Sequence, residues 1–204
     1  MIGMHAGTRF VQRLLSLLAL VVTVGAIALP ASAVELAGVK LDDSAQFADR
    51  ALKLNGAGIR YKLFFKVYAA GLYLTEKKTS PAEILALSGP KRVQMVMLRD
   101  LESEALSKAF GEGIEKNTDA AERAKIASQL RAFERVFATV SEIKKGDVLT
   151  LDWQPGLGTT CQLNGKRLTD AIPDIAFYNA VLKIWLGEQP ADAGLKSAML
   201  GNNP

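Results

Sequence analysis

The sequence predicts an α+β domain, an antiparallel sheet with helices packed on one face. Three observations lead there. Strand-like composition fills the first part of the chain beyond its leader, helical period takes over in the middle, and hairpin signals followed by an apolar helix close it. That order is not the strict alternation of strand and helix that builds a parallel sheet. No internal repeat and no linker divides the chain, so one domain is expected over residues 34–204.

Residues 1–33 read as a cleavable export signal. Arg9 and Arg13 supply a basic start, Leu14 to Leu29 is an apolar run broken only by small residues, and Pro30 ends it. Ala31-Ser32-Ala33 then presents the small side chains that a signal peptidase accepts. A run of this length could also anchor a chain in a bilayer, but the small-residue site directly after it favours cleavage. The basic start has no Arg-Arg pair, and no lipobox cysteine follows the run. The expectation is Sec-type export to the periplasm, with no stable membrane span left after cleavage.

Each later segment has its own signal. Val34 to Asn55 carries short alternations (Val39 and Leu41, Leu52 and Leu54) that predict one or two strands, with Asn55-Gly56-Ala57-Gly58 as a turn. Ile59 to Leu74 has strand composition throughout. Pro81 to Leu87 fits a short helix, stopped by Ser88-Gly89-Pro90, and Arg92 to Leu98 a strand with Val93, Met95 and Met97 on one parity. Ser103 to Lys116 places Leu106, Phe110 and Ile114 on one helical face, with Ser103 as a candidate cap. Asp119 to Val140 reads as one longer helix with Ile126, Leu130, Phe133 and Phe137 at helical spacing. Val148 to Trp153, Thr159 to Leu163 and Lys166 to Leu168 are strands joined by Pro155-Gly156-Leu157-Gly158 and Asn164-Gly165, two hairpin signals. Ile175 to Leu186 is an apolar helix, and a short helix follows before Gly201.

Composition narrows the chemistry. The two signal arginines account for half of the formal charge of +4, and no basic cluster with interleaved aromatics suggests a nucleic-acid partner. Cys161 is the single cysteine, so no intrachain disulfide can close, and its place in a Thr-Thr-Cys-Gln-Leu run suggests a buried structural thiol. The single histidine, His5, leaves with the signal. Ser-His and Cys-His catalysis and most zinc sites leave with it. Asp42-Asp43 and Glu102/Glu104 have no metal-ligand spacing, so neither metal nor cofactor is expected.

The stretch Gly56-Ala57-Gly58-Ile59-Arg60, followed by Lys66-Val67-Tyr68-Ala69-Ala70-Gly71-Leu72-Tyr73-Leu74, resembles the signature of the chalcone isomerase-like superfamily. Gly146-Asp147-Val148-Leu149 to Gly158 resembles its late hairpin, and Ala180-Val181-Leu182 to Leu186-Gly187 its C-terminal helix. The resemblance spans about Leu54 to Gly187 and implies an open-faced β-sandwich, a large antiparallel sheet covered by a layer of helices. The superfamily holds enzymes that cyclise chalcones and non-catalytic fatty-acid binders, in which an arginine and a tyrosine hold the ligand carboxylate.

By that resemblance Arg60 falls on the arginine common to both groups. Its planar fork of donors suits a carboxylate. Tyr68 falls where the enzymes carry a threonine and the fatty-acid binders a tyrosine. The enzymes' catalytic tyrosine aligns near Glu102, their asparagine near Ala109, and a small hydroxyl residue with Tyr178. The arginine is kept and the rest of the isomerase polar set is absent. The resemblance therefore implies a non-catalytic binder of a fatty acid or similar amphipathic acid, with Arg60, Tyr68 and Tyr178 as candidate ligand residues. An intramolecular lyase acting on an enone through Arg60 and a tyrosine, or a periplasmic scaffold without a small ligand, are the alternatives. One geometric condition remains. Eight residues of unbroken strand would hold Arg60 and Tyr68 roughly 26 Å apart, so they meet only if the chain turns between Lys62 and Phe65. No Gly, Pro or Asn stands there.

Overall fold

In a computed structural model the described residues are 33–202, apart from Ala48. The expected signal therefore lies outside them, except Ala33, which opens the first strand. In chain order come β1 (Ala33–Leu36), β2 (Val39–Asp42), β3 (Ser44–Phe47), β4 (Arg50–Lys62), β5 (Phe65–Leu74), α1 (Pro81–Ala86), β6 (Lys91–Met97) and β7 (Leu101–Glu102). Then follow α2 (Ser103–Asn117), α3 (Ala120–Lys125), α4 (Ala127–Phe137), β8 (Glu142–Ile143), β9 (Val148–Gln154), β10 (Gly158–Leu163), β11 (Lys166–Arg167), α5 (Ile175–Leu186) and α6 (Ala193–Met199).

Seven strands form one antiparallel sheet in the order β11-β10-β9-β6-β5-β4-β3. The α+β reading and its open-faced sandwich are thus the observed architecture. One face of the sheet carries Tyr68, Leu72, Val93, Met95, Leu149 and Leu151 into a core shared with the helices. Phe110 of α2 is its hub, with ring centroids 5.9 Å from Phe133, 5.6 Å from Phe137 and 5.7 Å from Trp185. Leu106, Phe110, Ile114 and Val181 are buried core. The opposite face carries a smaller cluster of Leu41, Leu52, Leu54, Ala57 and Tyr73, against which residues of the β1–β2 hairpin pack. There Arg92 grips the fully buried Asp152 through two bonds, Nε to Oδ1 at 2.7 Å and an Nη to Oδ2 at 2.9 Å.

Several expectations need correcting. Asn55-Gly56-Ala57-Gly58 is no turn but the buried middle of β4. A Cβ on Gly56 would stand 2.0 Å from the Ala198 carbonyl oxygen, and one on Gly58 2.8 Å from the Ala198 Cβ. These glycines let α6 lie directly on the strand, a close approach that sequence reads as punctuation. Ile59 to Leu74 is two strands, because the chain reverses over Leu63 and Phe64. Val34 to Asn55 holds three short strands and the start of a fourth. The long helix from Asp119 breaks at Ile126, whose ψ of 14° leaves the helical region. Asp119 and Glu122 form a reciprocal capping box at the start of α3. Ser103 is not a cap: Glu102 holds that position, and the Ser103 hydroxyl donates to the Phe137 carbonyl at 2.9 Å, tying α2 to the end of α4.

Other elements follow their signals closely. Asn164 and Gly165 both take positive φ, 51° and 78°, the geometry of a type I′ hairpin. Cys161 is buried, and burial pushes its thiol up to about 12, so it is inert at neutral pH. A Gly56→Ala variant should lose about 1–3 kcal/mol, since the contact is with backbone and cannot yield. Urea denaturation checks this, with Gly111→Ala as control because nothing lies within 4 Å of a Cβ there.

Candidate functional site

The reversal at Leu63–Phe64, followed by one extra residue in β5 at Val67, makes Arg60 and Tyr68 direct cross-strand partners. The geometric condition is met by a two-residue turn lacking the usual turn residues. Opposed residues of an antiparallel pair present their side chains on one face, and here the Arg60 guanidinium carbon lies 5.7 Å from the centre of the Tyr68 ring. Tyr68 is fully buried, whereas Arg60 is half-buried and reaches from the interior to the end of the sheet.

Both groups have donors to spare. The Trp185 indole N–H on α5 donates to the Tyr68 hydroxyl at 2.9 Å. An indole can only donate, so the phenol keeps its own proton for another acceptor, and no described residue takes it. The Arg60 Nε is buried without a hydrogen-bond partner, and no described carboxylate forms an ion pair with its guanidinium. Asp192 is the acid whose charge reaches Tyr68, yet its two oxygens accept from the Tyr61 and Leu195 amides, each at 2.9 Å. Burial raises the Tyr68 pKa, against the lowering effects of the Arg60 charge, the Trp185 bond and a weaker hydrogen-bonding contact from Arg60 to the phenol oxygen, which leaves the Arg60 Nε still unfilled. Tyr68 is therefore a neutral donor at ordinary pH. A guanidinium and a phenol, both short of acceptors, can hold an anionic oxygen.

Tyr178 is placed differently. It is fully buried on α5, its hydroxyl donates to the Leu151 carbonyl at 3.2 Å, and its ring centre lies 6.2 Å from that of Trp153. Its pKa is raised by burial and then by Asp152, with Arg92 opposing. The structure thus brings Arg60 and Tyr68 together and sets Tyr178 over β9 with its proton in use. Trp185 was missed as a site residue, because nothing in an apolar helix marks which indole meets a strand hydroxyl. Glu102 is exposed at the start of α2 and Ala109 is half-buried along it. The cavities along the fold lie elsewhere: one of about 510 Å³ beside Lys53, Asn55 and Lys78, another of about 280 Å³ beside Glu122, Asn179 and Lys183.

A seven-stranded antiparallel sheet with helices on one face, and an arginine and tyrosine facing each other on adjacent strands, defines an open-faced sandwich with a polar site at one end. The chain belongs to the chalcone isomerase-like family, whose model matches residues 33–201. Among solved structures it is similar to a fatty-acid binding protein of Arabidopsis thaliana, with a TM-score of 0.62 and 17% identity over 84% of this chain and 97% of that one. At that identity the likeness establishes the fold. No curated protein sequence matches the chain.

A second polar feature lies at the other end of the same face. Lys91 pairs with Trp153, and Trp153 with Thr159, in one row across β6, β9 and β10. All three are buried, and the Lys91 Nζ, Trp153 Nε1 and Thr159 Oγ1 each lack a partner among the described residues. The sequence held a signal for this, since Lys91 shares the parity of Val93, Met95 and Met97. Burial lowers the Lys91 pKa from 10.5 to about 8. Between those two values the unfolded chain binds a proton that the folded chain does not, so stability rises with pH across that window. Below it the cost of the buried ammonium is fully present. Lys91→Met should therefore raise the melting temperature at neutral pH by several degrees and flatten the rise toward alkaline pH. A scan of melting temperature against pH checks both, and an unchanged alkaline slope would refute the assignment to Lys91.

Proposed function

We propose that the protein is a non-catalytic periplasmic binder of an amphipathic carboxylate such as a fatty acid, with Arg60 pairing to the carboxylate and Tyr68 donating to it. The observation that carries this reading is the pair of unfilled donors, the buried Arg60 Nε and the Tyr68 hydroxyl proton, held together across β4 and β5. A half-buried guanidinium without an acid partner is costly unless an anion joins it. Membership of the chalcone isomerase-like family and the likeness to a plant fatty-acid binding protein support the same choice. Residues 1–33 carry the pattern of a cleavable export signal, which supports the periplasmic location. Tyr178, the third candidate, is bonded to the Leu151 carbonyl over β9, apart from the Arg60–Tyr68 pair, so this reading gives it no contact with the carboxylate.

One observation favours the second reading, a scaffold without a small ligand. The space between sheet and helices is filled by Phe110, Phe133, Phe137 and Trp185, so an acyl tail enters only by displacing side chains of that core. Native mass spectrometry of protein recovered from the periplasm separates the two. A copurified acid of fatty-acid mass is expected, lost in Arg60→Ala and retained at lower occupancy in Arg60→Lys. Protein carrying no adduct, and showing no binding of palmitate on titration, would overturn the ligand reading in favour of the scaffold reading. Tyr68→Phe should weaken palmitate roughly ten- to a hundredfold, the worth of one hydrogen bond to a charged group. Recovery of the protein in the osmotic-shock fraction, beginning at residue 34, checks the export reading.

A further inference from the structure

The tip of the β4–β5 hairpin departs from two habits of soluble proteins at once. A two-residue turn whose first residue has positive φ is normally made with glycine, yet Leu63 takes φ of 57° there. Large apolar residues are normally covered, yet Leu63 and Phe64 are 84% and 79% exposed, with Phe65 and Tyr61 about half exposed beside them. A leucine in left-handed backbone gains nothing for the fold, so a role outside the folded domain accounts for it better. The tip is ordered by its own contacts. The Phe64 and Phe65 rings lie 4.6 Å apart, and the Arg99 guanidinium sits 5.1 Å from the centre of the Phe65 ring.

Cations surround this tip. Lys62 and Lys66 flank the turn and are exposed, as is Arg99. The loop bearing Lys145 joins the same end of the sheet, since the Gly146 amide donates to the Met97 carbonyl at 2.9 Å and the Lys145 amide to Asp100 at 2.7 Å. Lys166 belongs there too, because the neighbouring Asn164 accepts from the Val148 amide and donates to Asp147. Asp100, Asp147 and Asp192 lie at this end too, each accepting from backbone N–H groups. The five cations outnumber these three acids, and the apolar wedge stands within a net basic collar.

We propose that this hairpin tip docks the protein on an anionic lipid bilayer, Leu63 and Phe64 entering the acyl region while Lys62, Lys66 and Arg99 meet the headgroup phosphates. The chemistry fits in each part. A two-residue turn presents few unpaired backbone groups to the lipid. Tyr61 and the lysine stems suit the interfacial layer, and basic side chains are attracted to anionic headgroups. The tip is convex rather than grooved, so it inserts into a partner instead of receiving one. Docking goes beyond the ligand reading and stands without it. If Arg60 holds an amphipathic acid, its position three residues from Leu63, about 10 Å along the strand, puts the carboxylate site beside the surface where such acids reside.

The test is flotation of the signal-less protein with phosphatidylcholine vesicles containing about one third phosphatidylglycerol, whose charge attracts basic residues, against pure phosphatidylcholine vesicles. The wild-type protein should float with the anionic vesicles and be released by salt. The pair Leu63→Gly and Phe64→Ser should weaken binding at least tenfold. Glycine suits the positive φ, so thermal stability should hold or rise, which separates loss of docking from loss of fold. Lys62→Glu with Lys66→Glu should weaken binding and blunt its salt dependence. The palmitate titration should be unaltered in the tip variants, so failure of docking and failure of the ligand reading are distinguishable. Wild-type protein that ignores anionic vesicles, or a tip variant that binds as well as wild type, would overturn the proposal. A dimer dissolved by the tip variant without vesicle binding would overturn it in favour of a self-association surface.

Discussion

The two-residue reversal at Leu63–Phe64 sets the register on which the site depends. It fixes Lys62 opposite Phe65 and Tyr61 opposite Lys66, and an extra residue in β5, Val67, then shifts the ladder so that Arg60 stands opposite Tyr68. Because side chains alternate between faces, a slip of one residue would turn Tyr68 away from the helices and break its bond to Trp185. That bond crosses from the sheet to α5, whose Trp185 also packs against Phe110 of α2. The same register sets Gly56 opposite Leu72 and Gly58 opposite Ala70, beneath α6. Register, helix docking and the meeting of arginine with tyrosine thus depend on the tight turn and the Val67 bulge together.

The sheet also handles buried cations in three ways. On one face Arg92 meets Asp152 through two parallel bonds, and the aspartate, though its pKa is raised by burial, has the guanidinium to oppose that rise. On the other face Lys91 has no counter-ion among the described residues, and burial lowers its pKa to about 8. Arg60 is half-buried, and its Nε is buried with no partner among the described residues. Lys91 and Arg60 thus both stand without a described counter-ion, and Arg60 differs in lying beside a second donor, Tyr68.

Much of the fold was legible because its signals are local. The parity of Val93, Met95 and Met97, the helical spacing of Leu106, Phe110 and Ile114, and the Asn164-Gly165 turn each report their own conformation. The departures all involve distant partners. Gly56 and Gly58 are determined by α6, which lies some 140 residues further along the chain. Reading them as a turn applied a rule about backbone freedom where the operative constraint was clearance. The Leu63–Phe64 turn was invisible by composition, because the residues that normally stabilise such a turn are replaced by apolar ones. Arg60 and Tyr68 emerged from family resemblance, but their convergence could not, since it depends on that turn. The Trp185 contact joins residues too far apart in sequence for any periodicity to mark.

The site's chemistry bears on the choice between holding an anion and transforming one. Conjugate addition within a substrate needs a group to take a proton from the attacking oxygen as well as an electrophilic group to polarise the enone. Arg60 and Tyr68 serve the second need only. Both are donors, and burial holds the phenol protonated rather than poised to ionise. Asp192, the acid whose charge reaches Tyr68, already accepts two backbone amides through its two oxygens. Recruiting it as a base would sacrifice the cap of α6 and the tie to Tyr61. Such a set can stabilise negative charge that arrives with a ligand but is poorly equipped to create it. If the tip docks on a bilayer as proposed, the exposed apolar residues just beyond Arg60 would give such a ligand a route from the lipid phase that avoids crossing water. The packed interior then sets the remaining energetic question, because each core ring moved aside by an acyl tail must be replaced by comparable contact with that tail.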